Sequence, residues 1–195
     1  MALQGFVAQI KVQSSGVAMT DEATSSSDNL SYQITNSSKR ILDLNTAIVV
    51  EDDGIPTTEN YTIDYLNGTI TFAETDTRTI TVTGAYMTPT TVATAMSYTA
   101  SVTNEVQENT AFTSAFRTYQ GGLTTGTASL ERYHVSDDLF IDEVLAGNYL
   151  IIELFVDDTN KASFYGLINS DSINAEVSAL ITESIDIQIT TQIEV

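Results

Sequence analysis

Cysteine is absent from this chain of 195 residues, which excludes disulfide stapling and thiolate chemistry and leaves the redox compartment open. Tryptophan is absent too, and proline occurs only twice. Basic residues are scarce: seven Lys and Arg against 26 Asp and Glu give a formal charge of −19. A sequence-independent grip on nucleic acid comes from Lys and Arg neutralising phosphates, so the charge argues against that class. It does not argue against nearness to DNA, because a surface that lets a polyanion slide past is acidic as well. A plain soluble acidic surface, or adaptation to high salt, gives the same balance. No hydrophobic run approaches the length of a membrane span, and no membrane partner is expected. The opening residues carry no basic stretch followed by a continuous apolar one, so no signal peptide is read and first folding in a cytoplasm is expected.

The motifs of common catalysts are missing as well. Gly-x-Ser-x-Gly, Gly-x-Gly-x-x-Gly and the P-loop do not occur. His134 is the only histidine and has no nucleophile motif around it, so it reads as an ordinary residue before a helix. The acid pairs Asp52 with Asp53, Asp137 with Asp138 and Asp157 with Asp158 fit turn and cap chemistry better than a glycosidase pair or a calcium loop, since neighbours on a strand point to opposite faces. Asn-x-Ser/Thr at Asn29, Asn36, Asn60 and Asn67 is chance frequency in a Ser/Thr-rich chain. No catalytic, cofactor-binding or metal-binding residue is assigned, and no enzyme activity is expected.

What is present is β-sheet chemistry. Thirty threonines and many other β-branched residues favour strands. The length fits one domain, or one domain carrying an excursion at about 47–87. The chain is organised around residues 136–156, where a helix over about 137–146 runs directly into a strand. Ser136 or Asp137 can cap that helix, Asp137 and Asp138 place carboxylates at its positive end, and Gly147 can end it with a positive φ. Phe140 with Val144, and Ile141 with Leu145, are pairs expected on its covered side, with Asp138, Asp142 and Glu143 opposite. The strand that follows is apolar on both alternating sets except at Glu153, as in the centre of a sheet.

Elsewhere a first strand is read over 3–12, a long Ser/Thr/Asp/Asn loop over 14–31, and a short strand at 32–35. A strand at 47–50 ends in the turn cluster 51–54. A hairpin spans 61–72 with a type I′ turn at Asn67-Gly68, and another strand covers 78–87. Ser97, Thr99, Ser101, Thr103 and Glu105 make a polar set opposite Tyr98, Ala100, Val102 and Val106, which predicts a strand with one wet face. Gly121-Gly122 reads as a break. Turns at 157–160 and 169–171 separate strands at 161–168 and 172–179. Ile185, Ile187, Ile189, Ile193 and Val195 alternate with Asp186, Gln188 and Glu194, a regular strand that would pair with another copy if left at an edge. The fold class is therefore mainly β, an antiparallel sandwich or barrel-like fold with one flanking helix.

The order of these features resembles the tail tube (major tail) proteins of tailed bacteriophages. The resemblance rests on Met1-Ala-Leu-Gln-Gly-Phe-Val-Ala-Gln-Ile-Lys11; on Thr20-Asp-Glu-Ala-Thr24 with Tyr32-Gln-Ile-Thr35 and Lys39-Arg-Ile-Leu-Asp43; on Tyr61-Thr-Ile-Asp-Tyr-Leu-Asn-Gly-Thr-Ile-Thr-Phe72; and on the helix-to-C-terminus unit with Ala162-Ser-Phe-Tyr-Gly166 and Glu183-Ser-Ile-Asp-Ile-Gln-Ile189. It covers most of the chain. It implies six copies in a ring, rings stacked into a virion tube that conducts DNA without binding it, and tape measure, tail terminator and distal tail proteins as partners. On that reading Glu105, Asp186 and Glu194 are candidate lumen-facing acids, and Ile185, Ile187, Ile189 and Ile193 mark a candidate inter-subunit strand. The alternative is a secreted β-sandwich adhesin or carbohydrate-binding module. Ile189→Pro removes a ladder donor and a core side chain together, so loss of stability is expected; a wild-type urea midpoint in that variant rules out 184–195 as a structural strand.

Overall fold

The computed structural model describes residues 9–92, 95–110, 116–134, 139–155, 161–176 and 179–190, with only the backbone at 139 and 141. The N-cap residues expected at 136–138, the turn at 157–160 and the positions of Ile193, Glu194 and Val195 lie outside the described residues. In chain order the strands are β1 (Gln9–Gln13), β2 (Val17–Ser25), β3 (Ser31–Ile34), β4 (Val49–Asp52), β5 (Ile55–Pro56), β6 (Tyr61–Asp64), β7 (Thr69–Phe72), β8 (Ile80–Tyr86) and β9 (Thr90–Thr91). They continue with β10 (Ala95–Glu108), β11 (Tyr119–Tyr133), the helix α1 (Leu139–Ala146), β12 (Leu150–Phe155), β13 (Lys161–Asn174) and β14 (Thr182–Ile189). The chain divides into two compact units, the first holding Met1–Val92 and Asn148–Tyr165, the second Ala93–Gly147 and Gly166–Gln192. The architecture is mainly antiparallel β with one helix, the class expected from the sequence.

In the first unit β2 to β8 form one seven-stranded sheet in the order β5-β4-β8-β2-β3-β7-β6. Its core holds Ile34, Leu42, Ile70 and Val82, all without exposed surface. β2 and β3 lie in the same sheet as the 49–86 strands, so this sheet is wider than the 47–87 stretch. β2 also occupies half of the segment expected to be a loop. The polar composition hid it because only Met19 reaches the core, and a bulge between Met19 and Glu22, with Asp21 at φ 49, interrupts the period of two. The turn after β2 is closed by Asp28, whose carboxylate accepts from the amides of Ser31 and Leu30 and from the Ser26 hydroxyl. Those bonds, the Ser31 amide first, hold its pKa below the usual carboxylate value.

The expected hairpin over 61–72 forms, but its turn differs from expectation. The 61–72 hairpin pairs Asp64 with Thr69, so its loop has four residues, and of these only Gly68 has a positive φ, 58°. Asp64 Oδ1 accepts from the amides of Leu66 and Asn67, and Tyr65 and Leu66 turn toward the buried cluster of Met87, Ile151 and Tyr165. Packing of those two side chains overrides the two-residue turn. The pair of positive φ values that defines type I′ occurs at Asp53 (49°) and Gly54 (77°), between β4 and β5.

β12 is buried at every residue but Phe155, as expected for a central strand, and pairs with β1, whose other edge carries the short β9. Its one acid, Glu153, stands opposite Lys11 in register and is ion-paired with Lys161. Tyr165 is fully buried, and its hydroxyl lies within donating distance of the carbonyls of Leu42 and Tyr65. It therefore ties the start of β13 to two loops of the same unit.

In the second unit the strand order is β10-β11-β14, followed by the part of β13 from Gly166 onward. Two expected interruptions are bulges inside continuous strands. β13 runs straight through 169–171 with a register shift between Ile168 and Ser170. β11 runs through Gly121-Gly122, where a shift opposite Asn104 and Val106 lets a second residue crowd Glu105; a Cβ on Gly122 would come within 3.0 Å of the Glu105 carbonyl oxygen. α1 ends at Gly147, which has φ 68. Phe140 is 1% exposed and Val144 half-buried, but Leu145 is 83% exposed and Glu143 is half-buried. At about 100° per residue the covered arc centres on Phe140 and takes in Glu143 and Val144, while Leu145 lies well outside it. This corrects the expected pairing of Leu145 with the covered face. Phe140→Ala is expected to cost about 3–5 kcal/mol in chemical denaturation and Asp142→Asn close to nothing; equal small effects at both positions disprove the packing.

Candidate assembly surface

The sheet of the second unit is two-faced because its register is kept across three strands. On one face Tyr98, Leu130 and Ile185 stand side by side, then Ala100, Ala128 and Ile187, then Val102, Gly126 and Ile189. Leu130, Ala128, Ile185, Ile187 and Ile189 are buried. On the other face the rows are Ser97, Glu131 and Ser184; Thr99, Ser129 and Asp186; and Ser101, Thr127 and Gln188. Thr103 and Glu105 continue this second face by alternation. Ser97 donates to Glu131 at 2.9 Å and Ser170 to Asp186 at 3.0 Å, so hydroxyls hold the acids in place. An open groove of about 410 Å³ runs along it, lined by Thr99, Ser101, Thr127, Ser129 and Asp186 among others. Glu105 and Asp186 thus share the wet face, and no Lys or Arg stands on these rows.

The seven basic residues are all engaged elsewhere. Lys39 pairs with Glu22, Arg78 with Glu59, Lys161 with Glu153 and Arg132 with Glu183. Arg117 is 3.8 Å from Glu108, Lys11 stacks on Phe155, and Arg40 donates to the Ile34 carbonyl.

β14 is an interior strand over 182–189, bonded to β11 on one side and β13 on the other. Ile185, Ile187 and Ile189 are therefore in this chain's own core, and the condition for pairing with another copy, a free edge, is not met there. Among the described residues the free edge of this sheet is β10, 14 residues long and exposed over 99–108. Its apolar side was expected to be covered, yet Val102 is 55% and Val106 62% exposed. Val102 lies on the edge strand, and among the described residues β14 pairs with β11 only as far as Gly126, so the pairing given for residues 119–125 is with β10 alone, over roughly 20 Å.

At the opposite end of the sheet, beneath α1, lies a buried ionic cluster. Arg132 donates to Glu183 Oε1 at 2.8 Å across the β11–β14 pair, and His134 Nδ1 is 3.0 Å from the other carboxylate oxygen. The Glu183 side chain has no exposed surface, and the Arg132 guanidinium lies 4.5 Å from the centre of the Phe140 ring. His134, just after β11, is held by that carboxylate. Among the described residues no group of three or more His, Asp or Glu could hold a metal ion, and no helix is long and apolar enough to cross a membrane.

No protein-family model and no curated protein matches the chain. Among solved structures it is similar to a chain in the tail of an empty gene transfer agent particle refined with C6 symmetry, at TM-score 0.50 and 13% identity over 54% of this chain and 84% of that one. A chain of the native gene transfer agent virion matches at TM-score 0.49 and 13% identity, over 54% and 86%. The fold of about half of this chain is thus one found in a phage-like tail, the fold expected from the resemblance.

Removing one partner of the buried cluster leaves an uncompensated charge, so Arg132→Met is expected to lower unfolding stability by about 3–5 kcal/mol. Adding Glu183→Leu to it should recover most of that loss. A double variant no more stable than the single one shows that the carboxylate is not what Arg132 compensates.

Proposed function

We propose that this chain is the structural subunit of a phage-like tail tube, closing as six copies into a ring and stacking ring on ring into a virion conduit through which DNA passes without being bound. The carrying observation is the two-faced sheet of the second unit: one uninterrupted hydroxyl-and-acid face, one apolar face, and a free 14-residue edge at β10. A long free edge is a hazard in a monomer and a joint in a ring, since closing a sheet around an axis removes its edges. The likeness to a chain of a C6-symmetric tail supports the count of six.

The wet face is the one assigned to the bore. It presents Glu105 and Asp186 among Ser and Thr, and a ring carries six times a charge of −19. DNA in such a bore meets diffuse repulsion and few cationic points at which to stall. The Debye length is about 8 Å at physiological ionic strength, so the repulsion is a bias near the wall and leaves entry open. The whole chain is read as one tube protomer, assembled in the host cytoplasm and ending in the virion tail, with tape measure, terminator and distal tail proteins as its further partners.

Size-exclusion chromatography and electron microscopy of the purified chain test this directly. Rings or tubes with a central hole are expected, with Glu105 and Asp186 facing the hole. A monomer at every concentration overturns the reading in favour of a lone β-sandwich binding module. A bore lined by Lys39, Arg40 and Arg78 overturns the electrostatic part alone.

A further inference from the structure

Asn67-Gly68 is the only place in the sequence where an asparagine precedes a glycine. Glycine has no side chain to shield its own amide nitrogen, so that nitrogen can reach the side-chain carbonyl carbon of the asparagine before it. The reaction is intramolecular and consumes only water. The Gly68 nitrogen gives up its proton and bonds to Asn67 Cγ; the Cγ–Nδ2 bond breaks and ammonia leaves, closing a cyclic imide. Water then opens the ring. Cleavage of the bond to Cγ gives aspartate. Cleavage of the bond to the Asn67 backbone carbonyl carbon gives isoaspartate, in which the main chain runs through the side chain and is longer by a methylene.

The folded loop over 65–68 opposes this course. Asn67 Nδ2 donates to Asp64 Oδ2 at 3.0 Å, and Asp64 Oδ1 accepts from the amides of Leu66 and Asn67. The carboxylate pins the group that must leave, and its charge disfavours the anion formed when the deprotonated nitrogen adds to Cγ. Gly68 is buried at φ 58, its backbone packed so closely on Arg40 that a Cβ would come within 2.8 Å of the Arg40 carbonyl oxygen. The Gly68 carbonyl accepts from the Ile34 amide at 2.9 Å, and the Asn67 carbonyl from Gln33 Nε2 at 3.2 Å. Drawing the Gly68 nitrogen onto Asn67 Cγ disturbs both bonds to β3.

We propose that Asn67 is a deamidation site which the Asp64 carboxylate suppresses in the folded chain, so that the reaction proceeds when the loop opens and its product keeps the loop from closing as before. Aspartate at this position sets a carboxylate against Asp64 where a donor stood. Isoaspartate also moves the Asn67 and Gly68 carbonyls out of register with Gln33 and Ile34. Either product weakens the join between the 61–72 hairpin and β3, beside the point where Tyr65 and Leu66 enter the buried cluster of Met87, Ile151 and Tyr165. The change runs one way, because ammonia is lost. The site lies wholly in the first unit and needs no second copy.

The test follows the full chain at neutral pH by peptide mass spectrometry, with aspartate and isoaspartate at position 67 separated by chromatography. The wild type is expected to react more slowly folded than in urea, and equal rates overturn the proposal. Asp64→Asn keeps an oxygen for the Leu66 and Asn67 amides and removes the charge. It is expected to raise the folded-state rate by about tenfold, with the urea midpoint and the exchange of those two amide hydrogens close to wild type. An unchanged rate shows that the carboxylate does not suppress the reaction. A faster rate with equally faster amide exchange overturns it too, since loop opening then accounts for the gain. Asn67→Asp reproduces one product; its urea midpoint is expected below that of Asn67→Ser, which loses the amide without adding charge, and the gap should narrow in high salt. Equal midpoints overturn the claim that the product loosens the loop.

Discussion

Register between β11 and β14 is the constraint on which the second unit depends. Side chains on a strand alternate, so a slip of one residue would move Leu130, Ile185 and Ile187 onto the wet side and Glu131 and Asp186 into the core. Gly126 helps hold the register by position, since a side chain there would collide with Ile189. The Arg132–Glu183 pair holds it by charge, because a slip would leave two buried charges facing apolar neighbours. The same pair sets the helix, with Phe140 lying against the guanidinium. A polar cluster on the apolar face thus defines where the sheet ends and the helix begins.

Much of this was legible from the residues. The central strand β12, the strand alternation over 182–189, the polar set from Ser97 to Glu105 and the helix ended by Gly147 all follow from periods of two and 3.6 and from the φ freedom of glycine. What escaped was whatever a bulge or a tertiary contact changed. β2 carries one buried residue and a bulge, so its period is broken where it would be read. The expected turn at 169–171 is a bulge in one long strand, and the break at Gly121-Gly122 is a close approach to Glu105. Asn67-Gly68 has the composition of a two-residue turn, but Tyr65 and Leu66 are drawn into a buried cluster and lengthen the loop. Asp53-Gly54 has no such pull and adopts the geometry its residues favour.

The candidate surface was legible by face and not by edge. Asp186 stands in one row with Thr99, a member of the polar set that alternation grouped with Glu105. The isoleucines of β14 are interior because β11 and β13 both reach them, and strand order is a long-range property that no local pattern encodes. Glu183 is the acid among the buried alternating positions of β14, and that place in the pattern was the available signal for the ionic cluster. Its partner His134, 49 residues earlier in the chain, carried no signal of its own.

The pairing of β14 with β11 over Gly126–Tyr133 has a thermodynamic consequence. Where four strands lie side by side, each interior strand is bonded on both sides and opening it disrupts two ladders. Past Gly126 the ladder among the described residues is that of β10 with β11, and a two-stranded ribbon in water is marginal by itself. Opening free energy therefore falls along β10 and β11 toward that ribbon, so amide hydrogens exchange slowest opposite Ile185 and fastest near Glu108 and Tyr119. The ribbon that exposes Val106, Tyr119 and Leu123 gains rigidity from whatever it meets.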